Sequence, residues 1–116
     1  MNVDQVRRFA LSLPEVTEEP HFHYSSFRVR GKIFATMPPE GKLLHVFVAD
    51  DEREYALAVN PEFLEKLHWG ERVVGVRVSL AKAKPKVVTK LLAQAWTRKA
   101  PKDLLATAAL PSTAGK

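Results

Sequence analysis

The side chains best able to do chemistry in this chain are its cations and its four histidines. Lys82, Lys84, Lys86 and Lys90 fall at even spacing, two residues apart and then four, and run into a segment with helical periodicity. Ammonium and guanidinium groups hold phosphate oxygens as point charges and as bidentate forks. Free amides at a helix start add a further place for an anion. Arg28 and Arg77 each stand between apolar residues in alternating segments, which points them away from the core. Arg30 and Lys32 flank a turn at Gly31, at the tip of a hairpin. Trp69 offers a surface on which a base could stack, but a tryptophan beside a glycine, here Gly70, is more often a lid on the core. Arg98, Lys99 and Lys102 are cations at a helix C-terminus, where they stabilise the macrodipole without any ligand.

The histidines make a weaker pattern. His21-x-His23 would put two imidazoles on one face of a strand, a spacing that can grip a metal. No third ligand stands near them, so no metal site is expected. His45 lies in an apolar strand and reads as a hydrogen-bonded residue of the core or sheet face, and His68 as a loop residue. Ser25-Ser26 has no glycine elbow and no evident base. The glycines are scattered and form no phosphate loop. The acids Glu18, Glu19, Asp50, Asp51 and Glu52 sit in a connector and at a helix start, positions that suit solubility and capping. The chain is therefore expected to be non-catalytic and to need no cofactor.

Charge along the chain strengthens the polyanion reading. Residues 1–71 carry eight Lys/Arg against twelve acids, whereas residues 72–116 carry ten against Asp103 alone. Such asymmetry is the usual footprint of a polyanionic partner. The absence of cysteine excludes a disulfide scaffold and thiolate metal sites and suits the cytoplasm. No apolar run is long enough to span a membrane, and the first residues lack the pattern of a signal peptide.

These residues need a scaffold, and periodicity supplies it. Val3, Val6, Ala10 and Leu13 mark a helix over residues 3–13, capped by Asn2 and Gln5 and stopped by Pro14. Residues 15–20 read as an acidic connector. Residues 27–30 and 32–37 read as a hairpin pairing Val29 with Lys32, Arg28 with Ile33 and Phe27 with Phe34. That register puts Phe27, Val29 and Phe34 on one face and Arg28, Ile33 and Ala35 on the other. Residues 43–49 form a further strand, and a short helix follows near 51–59. Residues 62–67 fit a strand or a helix, and His68-Trp69-Gly70 a loop. In residues 73–80, Val74, Val76, Val78 and Leu80 point one way and Gly75, Arg77 and Ser79 the other. A last long helix covers 85–100, with a turn of helix after Pro101. The expected fold is α+β: a two-layer sandwich whose antiparallel sheet of four to five strands carries the N- and C-terminal helices on one face. One domain over 1–109 and a flexible tail over 110–116 complete the division, with a monomer as the expected state.

Several segments together are familiar. Pro20-His21-Phe22, Ser26-Phe27-Arg28-Val29-Arg30-Gly31-Lys32-Ile33-Phe34-Ala35, Val76-Arg77-Val78 and a helix ending Ala95-Trp96 and Ala100-Pro101-Lys102 resemble the MmcQ/YjbR family. The likeness implies a fold similar to CyaY, the bacterial frataxin. It also implies DNA binding, sometimes described for the family as a double wing. Frataxins are associated with iron through an acidic first helix. Here that helix has Arg7-Arg8 and only Asp4, so the resemblance does not extend to iron. The functional expectation is a DNA-binding protein, with RNA as a second possibility, that contacts phosphates through Arg28, Arg30, Lys32, Arg77, Lys82, Lys84, Lys86 and Lys90, with Trp69 for stacking. The alternative is a protein-interaction or small-ligand module that uses the open sheet face.

Overall fold

The computed structural model describes residues 1–107, so the tail expected at 110–116 lies outside the described residues. Along the chain come α1 (Val3–Ser12), β1 (Val16–His21), β2 (Tyr24–Val29), β3 (Lys32–Met37), β4 (Leu43–Val46), α2 (Asp50–Val59), β5 (Leu64–Trp69), β6 (Arg72–Ser79), α3 (Pro85–Lys99) and α4 (Lys102–Thr107). The strands form one antiparallel sheet in the order β1-β2-β3-β4-β6-β5. The α+β class and the helices on one face match expectation. The described residues contain six strands, not four or five.

The extra strand is β1, read from sequence as a connector. None of its residues is buried, and Glu18, Glu19 and Pro20 fall within it. Charges and proline are how an edge strand avoids pairing with a foreign chain. They also erase the alternation by which a strand is recognised. The segment at 62–67 resolves into β5, and His68 and Trp69 are its last two residues, not a loop. Its helix-like spacing has a simple origin. Leu64 pairs with Val78 on the helical side, whereas Leu67 pairs with Gly75 on the opposite face. Both are buried, but by different layers.

Two bulges correct the expected registers. In the first hairpin Val29 faces Lys32 and Arg28 faces Ile33 as read, but the register then slips and Phe27 faces Ala35 instead of Phe34. Phe34 and Ala35 are consequently both fully buried, and Ala35 leaves the open face. In β5–β6 the slip between Leu67 and His68 leaves Val74 without a partner, so it does not join Val76 and Val78 in the core. A bulge adds one residue to one strand and reverses the side-chain parity beyond it.

The core lies between sheet and helices. Phe27, Phe34, Val46, Val76 and Val78 meet Val6, Val88, Leu92 and Trp96, all with no exposed surface. The α1 start has the capping box read from sequence: Gln5 N donates to Asn2 Oδ1 at 2.8 Å and Asn2 N to Gln5 Oε1 at 2.9 Å. Trp96 Nε1 donates to Pro14 O at 3.0 Å, which ties α3 to the chain just past α1. Among the described residues, no helix packs across the centre of the other face of the sheet.

Candidate nucleic-acid interface

Period-two alternation places a polar residue from every strand in one transverse row on that open face. Register pairs Glu19 with Ser26, Ser26 with Thr36, Thr36 with His45, His45 with Arg77, and Arg77 with Glu65. Ser26 Oγ donates to Glu19 O at 2.7 Å and accepts from Arg28 Nε at 3.0 Å. Arg77 pairs with Glu65 across the edge strand. His45 Nδ1 lies 3.4 Å from Thr36 Oγ1. His45 is 9% exposed, and its Nε2 is buried with no hydrogen-bond partner among the described residues. Burial, and then the Arg77 charge, lowers its pKa below the ordinary histidine value, so the ring is neutral near pH 7.

The row runs into a cleft of about 890 Å³. Its walls include Phe22 from the β1–β2 turn, Tyr24 at the start of β2, Phe47 from the segment after β4, and Trp69, Arg72 and Arg77 from β5 and β6. Arg98 and Lys99 at the end of α3 also reach it. The segment Phe47–Val48 crosses there because Gly75 has no side chain. A Cβ at Gly75 would stand 2.1 Å from Val46 O and 3.0 Å from the Phe47 Cα. Arg98 Nη1 holds the crossing, donating to Phe47 O and Val48 O at 3.1 Å each.

Two aromatics stand out from this cleft. Trp69 is 63% exposed, with its ring edge-to-face against Phe47 at 5.6 Å. Phe22 is 89% exposed and has φ of 57°, in the turn between β1 and β2. A bulky residue in the left-handed region is strained, and an apolar ring in water gains nothing by burial. Cations outnumber acids around the cleft: Arg72, Arg77, Arg98 and Lys99 face Asp50, with Glu65 already engaged by Arg77. The Lys99 pKa is pushed down by burial and by repulsion from Arg98 and Lys32, as a cation-rich neighbourhood requires.

The residues picked from sequence fall into separate groups. Arg77 and Trp69 line the cleft. Arg28 shares its face of the sheet but lies along the surface, with Nη2 3.5 Å from Pro20 O. Lys32 is exposed at the hairpin and close enough to Lys99 to repel it. Arg30 is engaged elsewhere. Its guanidinium donates to Glu15 at 2.8 and 3.1 Å and to Asp103 at 2.9 Å, so its charge is met by two carboxylates. Lys82, Lys84, Lys86 and Lys90 are exposed. Lys86 and Lys90 line a different groove, of about 200 Å³ between α2 and α3, where Lys90 Nζ lies 5.7 Å from the Tyr55 ring centre. The two grooves therefore draw on different basic residues: Arg77 in the cleft, Lys86 and Lys90 between α2 and α3.

Phe22, Arg72, Arg98 and Lys99 were missed from sequence. A phenylalanine between two histidines, in a turn lacking glycine, was the available sign for Phe22. Arg98 and Lys99 were absorbed by their place at a helix end. Among the described residues no group of three His, Cys, Asp or Glu is arranged to hold a metal, and no helix is long and apolar enough to cross a membrane.

Comparison with known proteins bears on the family and the fold. The YjbR family model matches residues 11–98. A crystal structure of the Deinococcus radiodurans protein DR2400, with domain DUF419, superposes with a TM-score of 0.75 at 19% identity, over 97% of this chain and 91% of that one. Among curated proteins nothing matches.

Proposed function

The chain belongs to the YjbR family, and on that premise we propose that it is a non-catalytic nucleic-acid-binding protein that takes single-stranded DNA on the open face of its sheet. One observation carries this reading: exposed Phe22 and Trp69 stand at one cleft together with Arg72, Arg77, Arg98 and Lys99. Unpaired bases stack on aromatic rings while the backbone follows cations, and neither contact needs a particular sequence. Lys32 and Arg28 extend the positive surface from the same sheet. Lys82, Lys84, Lys86 and Lys90 add to the long-range field that steers a polyanion in. RNA presents the same faces and phosphates and is the natural competitor.

A second reading is favoured by the cleft's size. Its volume of about 890 Å³ is that of a small-ligand pocket, so a planar anionic molecule would fit the same walls.

The two tryptophans allow a direct test. Trp96 is fully buried and Trp69 is not, so quenching by an added strand reports Trp69. A 12-base single strand should quench this emission at low salt. Affinity should fall with salt at a log–log slope of about −2 to −3, the release expected from three to four phosphate contacts. A duplex of equal length should bind more weakly. No quenching and no anisotropy change at low salt would end this reading. Saturable binding of free nucleotides but not of strands would favour the second.

A further inference from the structure

The polar row across the open face is satisfied except at one atom. Ser26, Arg28 and Glu19 serve each other at one end, and Arg77 and Glu65 at the other. Between them His45 offers Nδ1 to Thr36, and its Nε2 has no partner among the described residues. A neutral imidazole has one N–H donor and one acceptor. If Nδ1 accepts from the Thr36 hydroxyl, Nε2 carries the hydrogen; if Nδ1 donates, Nε2 accepts. In either tautomer an unused polar atom lies beneath the cleft, with the Tyr24 ring 5.8 Å from the imidazole and Arg77 as cross-strand neighbour. Buried polar atoms are seldom left unpaired in native proteins, and each exception calls for a partner or a role.

We infer that His45 reads the hydrogen-bonding edge of one unpaired nucleobase held in the cleft, so that binding depends on base identity. This rests on the nucleic-acid reading above. The atom is covered, so a base reaches it only when a neighbour yields, and of the two side chains beside the ring, Tyr24 and Arg77, we take Arg77 as the one that moves. Its pair with Glu65 is at the surface, where both side chains are substantially exposed, and such pairs are weak. Turning from Glu65 to a backbone phosphate, Arg77 exchanges one anion for another and uncovers Nε2. The base face then rests against the aromatic wall while its edge meets the imidazole. A site built to hydrogen-bond a group discriminates against analogues lacking it, because its own buried atom is then left unpaired. A strand and a free nucleotide present the same base edge, and the source is decided by comparing them.

The test measures anisotropy with 12-base strands of T, C or A, an abasic strand and the matching mononucleotides. The wild-type chain should separate its best and worst homopolymer by about fivefold, the scale of one net hydrogen bond. His45→Leu should compress that spread to under about twofold, while His45→Gln, whose amide reaches near the Nε2 position, retains part of it. The best strand should bind more than about tenfold tighter than its mononucleotide, since several subsites act together. A spread that survives His45→Leu overturns the role of His45, as does a wild-type chain that binds every strand equally. Both outcomes leave strand binding standing. A mononucleotide that binds as tightly as the strand overturns the strand as the source of the base. Loss of all binding removes the nucleic-acid reading with the inference. Should His45→Leu fail to fold, ring ¹⁵N spectra of the wild-type chain decide. The His45 Nε2 resonance should shift on adding the best strand, and an unmoved resonance overturns the proposal.

Discussion

The two faces of the sheet are made by the same strands and do opposite things. Toward the helices, Phe27, Val46, Val76 and Val78 are fully buried and apolar. Toward the open side, the residues between them give the polar row Ser26, Thr36, His45, Arg77 and Glu65. One residue along a strand thus separates a position that stabilises the fold from one that can meet a ligand. The tryptophans repeat the contrast. Trp96 fills the core and donates to Pro14 O, whereas Trp69 stands mostly in water. Exposed aromatics on the open face contribute little to stability beside those of the core, which leaves them free to meet the strand proposed for that face.

The largest effect should separate these tryptophans. Trp96→Ala removes a fully buried side chain and should cost about 3–5 kcal/mol. It also strands the Pro14 carbonyl. Trp69→Ala should change stability by less than about 1 kcal/mol yet weaken strand binding by about tenfold, the loss of one base stack. Urea unfolding and anisotropy on both variants check this. Similar unfolding costs for the two would break the contrast between the faces.

Much of the helical side was legible in the sequence, and the reason is chemical. Burial forces apolar residues into strict periods, so Val6, Ala10, Val88, Leu92 and Trp96 identify their helix faces without coordinates. The open side obeys no such rule. Its edge strand β1 is disguised by Glu18, Glu19 and Pro20. Its bulges move Ala35 and Val74 across the sheet, and a slip of one residue leaves no compositional trace. Leu64 and Leu67 imitate a helix because two layers bury them. The site suffered most. Arg77 and Trp69 could be picked out by type, but the cleft that joins them depends on Phe47 crossing Gly75, a long-range approach invisible in either segment. Arg30 shows the converse. It looked free at its hairpin tip because nothing nearby in sequence announces Asp103.

The next effect is smaller and tests the buried imidazole. His45→Leu removes the unpaired nitrogen but strands the buried Thr36 hydroxyl, two opposed effects, so stability at pH 7.5 should change by less than about 1 kcal/mol. The pH dependence has a definite sign. Because burial and Arg77 lower the folded-state pKa, the unfolded chain binds this proton more readily. Wild-type stability therefore contains a contribution that is full above the unfolded pKa, about 6.5, and is lost as pH falls through the window below it. The variant lacks that loss, so its stability relative to the wild type should rise from pH 7.5 to pH 5.5. The carboxylate of Glu18, held below its usual pKa by Arg7, titrates under this window. Denaturant midpoints at the two pH values check the prediction, and a variant that loses ground to the wild type as pH falls would mean the imidazole is charged in the fold.

The smallest effect should come from the lysines that stood out first. Lys86 and Lys90 line the groove between α2 and α3, while Arg98 and Lys99 of the same helix reach the cleft. Along the helix, Lys90 lies about 12 Å and Lys86 about 18 Å from Arg98, farther than the screening length of about 8 Å at physiological salt. Reversing both charges with Lys86→Glu and Lys90→Glu should therefore lower strand affinity by less than about threefold at 0.15 M salt, with a larger loss at low salt as screening relaxes. Arg72→Glu, a single reversal in the cleft, should cost more than the double reversal outside it and should also flatten the salt slope by about one contact. If the lysine variant loses more affinity than Arg72→Glu at 0.15 M salt, the strand runs along the helices instead, and the open face is not where it binds.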